Sequence, residues 1–326
     1  MKIGLIGTGL MGSMHAAAWA AAGATLAGCV AETPGEAAQL AEQYGARVYP
    51  SYPALLAEVD VVDLCTPTHL HAEMALAAAA AGRHIVCEKP LARTAAQAQA
   101  VVAACRAAGV QLLVAQVVRY FPEYALAKQQ VQAGHIGRPV VLRLARCGFR
   151  PRRPTANWFV DEEKSGGLIL DLMIHDFDYA RWVAGEVASV YARLAPSGDY
   201  ALATLTHTSG ALTHVTGAWA YPPPLFRTRL EIAGDAGLIE FDSHEAAPIE
   251  ALLAEAPDAA RPSVGVPASP LRENPYVLEI KEFYQALAHG APARVSAEDG
   301  LMAVRLAQAA IDSARTGRAV QMAEAA

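Results

Sequence analysis

Charged and aromatic residues are sparse in this 326-residue chain: Asp, Glu, Lys and Arg together supply 18% of it, and Phe, Trp and Tyr 7%. The 26 basic residues fall short of the 32 acidic ones, leaving a net charge of −6, and no extended basic run is present. Such a chain does not neutralise a phosphate backbone, which excludes nucleic acid as a partner. Cysteine is also scarce. The five thiols, Cys29, Cys65, Cys87, Cys105 and Cys147, are odd in number and form no CxxC pair. They read as reduced core residues rather than a disulfide framework, and a reducing cytoplasm is the expected compartment. No apolar stretch of the length of a membrane span, about 18 residues, runs without polar or glycine interruption. Lys2 followed by apolar residues has the look of a signal peptide, yet Gly4, Gly7, Gly9 and Gly12 break the run in a spacing that has another use. What is abundant is the apolar class, at 53%, much of it alanine. That excludes a disordered chain, and the length suggests two domains.

Up to about residue 118, short apolar runs alternate with alanine-rich stretches: KIGLIG with MHAAAWAAAG, TLAGCVAE with EAAQLAEQYG, VDVVDLCT with HLHAEMALAAAAAG, HIVCEK with AAQAQAVVAACRAAG, and finally VQLLVAQVV. Apolar runs of strand length, each followed by a helix ending in glycine, are the pattern of βαβ units on a doubly wound parallel sheet. From Arg119 the pattern changes. A helix near 123–133 leads to the strand VVLRLARC and an arginine- and proline-rich loop. Gly166 and Gly167 then open one long helix, LILDLMIHDFDYARWVAG. The runs SVYARLA, YALATLTHT, ALTHVTGAWAY, RTRLEIAGD and GLIEFD, joined by short turns, predict a mostly antiparallel open sheet. Residues 245–272 read as a loop or lid, and helices near 276–289 and 296–316 close the chain. The expected division is a dinucleotide-binding domain over 1–120 and an α+β domain for substrate binding and oligomerisation over 121–326.

Three constellations carry chemistry. Between the first strand and helix, Gly7, Gly9 and Gly12 form GTGLMG, with Leu10 and Met11 inside it. The first glycine suits a tight turn, the second a close backbone approach to a pyrophosphate, and the third close helix packing, with the helix dipole favouring the anion. A bare strand-to-helix turn or an S-adenosylmethionine pocket uses the same residues. Glu32, 20 positions after Gly12, can accept from ribose hydroxyls and repel a 2′-phosphate, or simply be a solvated acid. That favours NAD, with NADP not excluded, since Ala31 precedes it. Next, Glu88, Lys89 and Pro90 follow the strand HIVC. Ligands of open α/β sheets bind outside the carboxyl ends of strands, which places Lys89, one of only five lysines, at that crevice. Third, Asp171 and His175 stand four apart on the long helix, hence on one face, where a carboxylate can orient an imidazole as a general base. A buried structural pair is the competing reading. His69 and His71 bracket Leu70 without zinc-ligand spacing, so no metal is expected. Arginines in RPRRP, 150–154, read as a solvated loop or as a grip on an anionic substrate or phosphate, and Trp158 as a sugar-stacking wall or packing.

GTGLMG, CTPTHLHAEMALAAAAAGRHIVCEKPLA, SGGLILDLMIHDFDYARWVAG and AEDGLMAVRLAQAAIDSARTGRAV together resemble the Gfo/Idh/MocA oxidoreductases, in order and across nearly the whole chain. The EKP tripeptide and the D-x-x-x-H helix are the most specific parts, and MIHDFD is most similar to the inositol 2-dehydrogenase branch. The resemblance implies a Rossmann domain followed by an α+β domain whose open sheet pairs subunits into a dimer or tetramer. It implies NAD(P)-dependent hydride transfer from a secondary alcohol of a cyclitol or sugar. Lys89 would contact substrate and nicotinamide, His175 would take the hydroxyl proton, and Asp171 would fix the alcohol. Thr66, Pro67 and His71 match residues near the cofactor, and Arg119, in RYF, one that supports the site. Two further activities fit the same pattern: an NAD-dependent glycosidase and a non-catalytic dinucleotide or sugar sensor.

Overall fold

The computed structural model describes residues 1–32, 34–152, 157–244 and 274–322. The region expected to form a lid, 245–272, lies outside the described residues, as does part of the RPRRP loop. Contacts divide the chain into two compact units. The first takes Met1–Tyr120 and the later segment ending at Val304; the second begins at Phe121 and includes the chain from Arg305 onward. The first unit's leading segment ends at Tyr120, and the helix over Pro275–His289 packs with that unit rather than the second. Sequence order alone gave no reason to send it back.

The first unit begins with β1 (Lys2–Ile6), α1 (Leu10–Ala21), β2 (Thr25–Val30), α2 (Pro34–Tyr44), β3 (Arg47–Val48) and α3 (Tyr52–Leu56). It continues with β4 (Val61–Leu64), α4 (Thr68–Ala80), β5 (His84–Glu88), α5 (Ala95–Ala108) and β6 (Leu112–Ala115). The six strands pair in parallel in the order β3-β2-β1-β4-β5-β6. Every residue of β4 and β6 is buried, as a sheet covered on both faces requires. The alanines explain the tight layering. Ala72, Ala75, Ala78 and Ala79 of α4 are buried, and this helix packs on α5 through surfaces too small to hold the two backbones apart. The run VQLLVAQVV is not one strand: β6 stops at Ala115, and Val117–Tyr120 forms a 3-10 turn.

The second unit starts with α6 (Pro122–Gln132) and β7 (Pro139–Cys147). After a 3-10 turn at Trp158–Val160 come α7 (Glu162–Ser165), α8 (Gly167–Asp171) and α9 (Ile174–Ala184). The strands β8 (Val187–Leu194), β9 (Tyr200–His207), β10 (Leu212–Ala218), β11 (Arg227–Gly234) and β12 (Leu238–Asp242) follow. Then α10 (Pro275–His289), already assigned to the first unit, precedes α11 (Ala297–Thr316) and β13 (Val320–Gln321). The sheet order is β12-β11-β7-β10-β9-β8-β13. All its pairings are antiparallel except β7 with β10.

The single long helix expected from Gly166 onward is in fact broken. Met173 N–H reaches back five residues to Leu168 O at 3.2 Å, and Asp176 N–H bonds Met173 O at 3.0 Å, so a wide turn separates α8 from α9. The reason lies in packing. Met173, fully buried, presses against Gly217 of β10, where an added Cβ would sit 2.4 Å from Met173 Cγ. Asp171 and His175 therefore flank a junction, one ending α8 and one beginning α9, instead of sharing a face of one regular helix.

Candidate active site

In the first unit, β1 delivers the chain into the glycine loop. Gly7 has φ +89° and donates its N–H to Val30 O at 3.0 Å, stitching the loop to β2. A Cβ on Gly7 would lie 2.5 Å from Cys65 O, and one on Gly12 would lie 1.9 Å from Gly7 O. No other residue fits either position. Gly9 is the N-cap of α1; no side chain caps the helix, its first turn carries no acid, and Leu10 is exposed. A twelve-residue helix with uncapped N–H groups behind a loop of this shape fits the pyrophosphate of a dinucleotide. Glu32 is exposed two residues beyond the end of β2, on the same edge.

The turn after β5 is built with more support than the sequence suggested. Lys89 is half-buried and its peptide bond to Pro90 is cis. Glu88 Oε2 accepts the Lys89 main-chain N–H at 3.0 Å. His71, 1% exposed, sends Nδ1 to Pro90 O and Nε2 to Thr66 O, each at 2.7 Å. It thus fastens the loop after β4, with Thr66 and Pro67, to the turn carrying Lys89. Burial lowers its pKa against the pull of the two carbonyls. Its part is to hold two crevice loops together: with one N–H, the ring donates to one of these carbonyl oxygens and rests its other nitrogen against the second. Arg119 is 1% exposed, and its Nη1 donates to Arg294 O at 2.7 Å and to Asp299 at 3.3 Å, bracing the 3-10 turn from within the unit.

Sequence reasoning missed a buried group behind this turn. His15 of α1 is fully buried, with Nδ1 at 2.9 and 3.1 Å from the two carboxylate oxygens of Asp63, which also accepts Trp19 Nε1–H at 2.7 Å. On its other side, His15 Nε2 lies 3.2 Å from Glu88 Oε1, an ion-pair contact out of line for a full hydrogen bond. Burial alone would lower the His15 pKa; Asp63 overcomes it and holds it well above 6.5. Glu279 of α10 is fully buried too, and burial followed by the neighbouring Glu88 charge pushes its carboxyl well above 4.5. The signal was present in VDVVDLC: an aspartate inside a strand buried on both faces must find a partner. Asp63, His15 and Cys65 are also, among the described residues, the three potential metal ligands that cluster, within 4.8 Å; His69 and His71 are not among them.

In the second unit, every residue from Gly167 to Ala180 is buried except His175. Arg146 of β7 clamps the next residue, Asp176, with Nε to Oδ2 at 3.0 Å and Nη2 to Oδ1 at 3.1 Å, both side chains at most 2% exposed. That bidentate pair fixes the first turn of α9 and so the direction of His175. Trp158 is half-buried and stacked on Phe159, ring centroids 3.9 Å apart. Arg150, from the proline-rich loop, is spent on Asp199 Oδ1 at 2.6 Å.

A glycine-rich dinucleotide cradle on a parallel sheet, joined to an α+β unit with an open seven-stranded sheet, defines a two-domain nicotinamide-dependent oxidoreductase. The comparisons specify which. Residues 1–116 match the Gfo/Idh/MocA model described as an oxidoreductase family, NAD-binding Rossmann fold, and residues 128–322 match its C-terminal alpha/beta domain. The chain belongs to this family, and its first domain is an NAD-binding Rossmann domain. It is 30% identical to the myo-inositol 2-dehydrogenase of Thermotoga maritima, over 99% of both chains. It is 36% identical to the levoglucosan dehydrogenase of Pseudarthrobacter phenanthrenivorans over 209 residues, 60% of this chain and 54% of the relative. A solved levoglucosan dehydrogenase with NADH and levoglucosan superposes with a TM-score of 0.84 at 27% identity, covering 98% of each chain.

Proposed function

We propose that this oxidoreductase is an NAD-dependent dehydrogenase that oxidises a secondary alcohol of a cyclitol or sugar. The observation that carries the reading is the single half-exposed imidazole, His175, at the head of a helix pair that is otherwise buried, with Asp171 at the end of the preceding helix and Asp176 locked by Arg146. Two relatives are named as dehydrogenases of myo-inositol and of levoglucosan, which supports a polyhydroxylated, uncharged substrate. Gly7, Gly9, Leu10, Met11 and Gly12 cradle the pyrophosphate; Glu32 takes the ribose hydroxyls and disfavours a 2′-phosphate; Thr66, Pro67 and Glu88 line the crevice, with His71 holding its loops. The bound dinucleotide supplies the hydride acceptor. Lys89 donates to the alcohol oxygen, Asp171 orients the hydroxyl, and His175 accepts its proton. Trp158 forms a flank for the ring of the substrate.

A homodimer or homotetramer through the second unit's sheet belongs to the same reading. Tyr191, Leu202, Leu212 and Leu238 are exposed, and the cross-strand register puts them on one face with Thr204 and Thr206. The test of function is nicotinamide absorbance with a panel of inositols, aldoses and sugar acids, each offered with NAD and with NADP. Reduction of NAD by at least one inositol or neutral sugar is expected. Cleavage of an aryl glycoside without net reduction, or cofactor binding with no turnover across the panel, overturns the reading.

A further inference from the structure

In the second unit, the loop after β7 and the turn before β9 meet in one ion pair. Arg150 donates from Nη2 at 2.6 Å and from Nε at 3.0 Å to Asp199 Oδ1, so two of its N–H groups converge on one carboxylate oxygen. Both partners are held in place. Asp199 O accepts the Trp219 N–H at 2.8 Å, Asp199 N–H donates to Ser197 Oγ at 3.3 Å, and the guanidinium lies 5.9 Å from the centre of the Trp219 ring. The arginine side chain is 39% exposed and the aspartate 29%, and an ion pair that open to water adds little to stability. Its location says more. Pro151 O accepts the Asn157 amide at 3.3 Å, which ties the residue after Arg150 to the residue before Trp158, the proposed flank of the substrate. A Cβ on Gly198 would stand 3.9 Å from Arg150 Nη2 and 3.8 Å from Glu162 Oε1, and one on Gly167, where the helix ending in Asp171 begins, 3.7 Å from the Glu162 carboxyl carbon. We propose that Arg150 and Asp199 determine which sugars this site takes: alone, the arginine would grip the carboxylate of a sugar acid, whereas Asp199 fills that grip and cancels its charge, so neutral polyols are accepted and hexuronates rejected. This rests on the function proposed above, with Trp158 and Asp171 at the substrate. A guanidinium fork is the partner that an anionic sugar needs. A second carboxylate arriving here finds the fork taken and meets the like charges of Asp199 and Glu162.

The pair predicts a gain of activity, which general destabilisation does not produce. Asp199→Asn keeps the shape of the side chain and frees the charge of Arg150, and the half-exposed site lets the variant fold. The ratio of kcat/KM for D-glucuronate to that for D-glucose should rise roughly tenfold or more over wild type, the worth of a charge-assisted hydrogen bond. Adding Arg150→Met should return the ratio to the wild-type value, because the gain needs the guanidinium. Calorimetric titration of D-glucuronate into the NAD-loaded protein reads the same point without turnover: binding should appear in Asp199→Asn and be missing from wild type and from the double variant. A ratio in Asp199→Asn no higher than in wild type, a gain that survives Arg150→Met, or a wild-type preference for the hexuronate overturns the inference. So does a titration in which Asp199→Asn fails to bind D-glucuronate. If no polyol or sugar is oxidised with either dinucleotide, the function fails, while the titration still judges the Arg150–Asp199 pair separately.

Discussion

At the scale of single residues, the proposed site separates groups assigned to chemistry from groups assigned to holding them. Lys89→Ala should leave NAD affinity intact, since the glycine loop is untouched, and lower kcat roughly a hundredfold or more; fluorescence titration of the cofactor beside steady-state kinetics checks the split. A matching loss of cofactor affinity would assign the lysine to the nucleotide instead. His175→Asn should cost on the order of a hundredfold or more in turnover, with the deficit largest on the neutral-to-alkaline side, where a base is useful. A pH profile that keeps its shape would remove His175 from proton transfer. His71 and Arg119 belong to the holding class. Both are buried at 1% exposure, with their polar atoms directed to main-chain carbonyls and to Asp299.

Elements add constraints that no residue carries alone. The break between α8 and α9 exists because Met173 seats on Gly217, and it sets Asp171 and His175 on two helices rather than one. The Arg146–Asp176 clamp then fixes the second of them. Arg146→Met should destabilise the protein by about 3–5 kcal/mol, because it strands a buried carboxylate, and chemical denaturation measures this directly. A cost under about 1 kcal/mol would mean that Asp176 escapes to water or takes up a proton cheaply. Gly12→Ala should abolish NAD binding before it unfolds the chain: the added methyl meets Gly7 O at 1.9 Å and pushes the loop off its cradle. Retained affinity would place the pyrophosphate elsewhere.

Over the whole molecule, the buried titratable groups set a pH dependence. Unfolded chains titrate His15 at 6.5 and Glu279 at 4.5, whereas the folded protein holds both protons well above those values. Between each ordinary value and its raised one, the folded state binds the extra proton, so stability is full below that window and is lost as pH rises through it. Thermal unfolding followed from about pH 5 to about pH 9 should therefore show a falling midpoint. Glu279→Gln should flatten that fall, because the amide has no proton to lose; an unchanged slope would show that Glu279 is not the group responsible. If the proposed oligomer forms through the open sheet, Leu202→Glu, at a side chain 60% exposed there, should shift sedimentation to the monomer without altering the far-UV spectrum; sedimentation that does not differ from wild type would remove that sheet as the interface.

Apolar periodicity and glycine spacing determined the fold class and the glycine-rich loop after β1, because these follow from local rules: alternation, helix caps, and turns that only glycine can make. The place of Lys89, just past the carboxyl end of β5, was legible for the same reason. Tertiary structure alone decided what depends on neighbours distant in sequence. It returned α10 to the first unit, broke the expected long helix over Gly217, ended β6 at Ala115 and enclosed His15 between Asp63 and Glu88. Asp63 lies 48 residues from His15 and Glu88 lies 25 from Asp63. A buried charge advertises its need for a partner in its own strand, but which partner meets it is settled by how the layers pack.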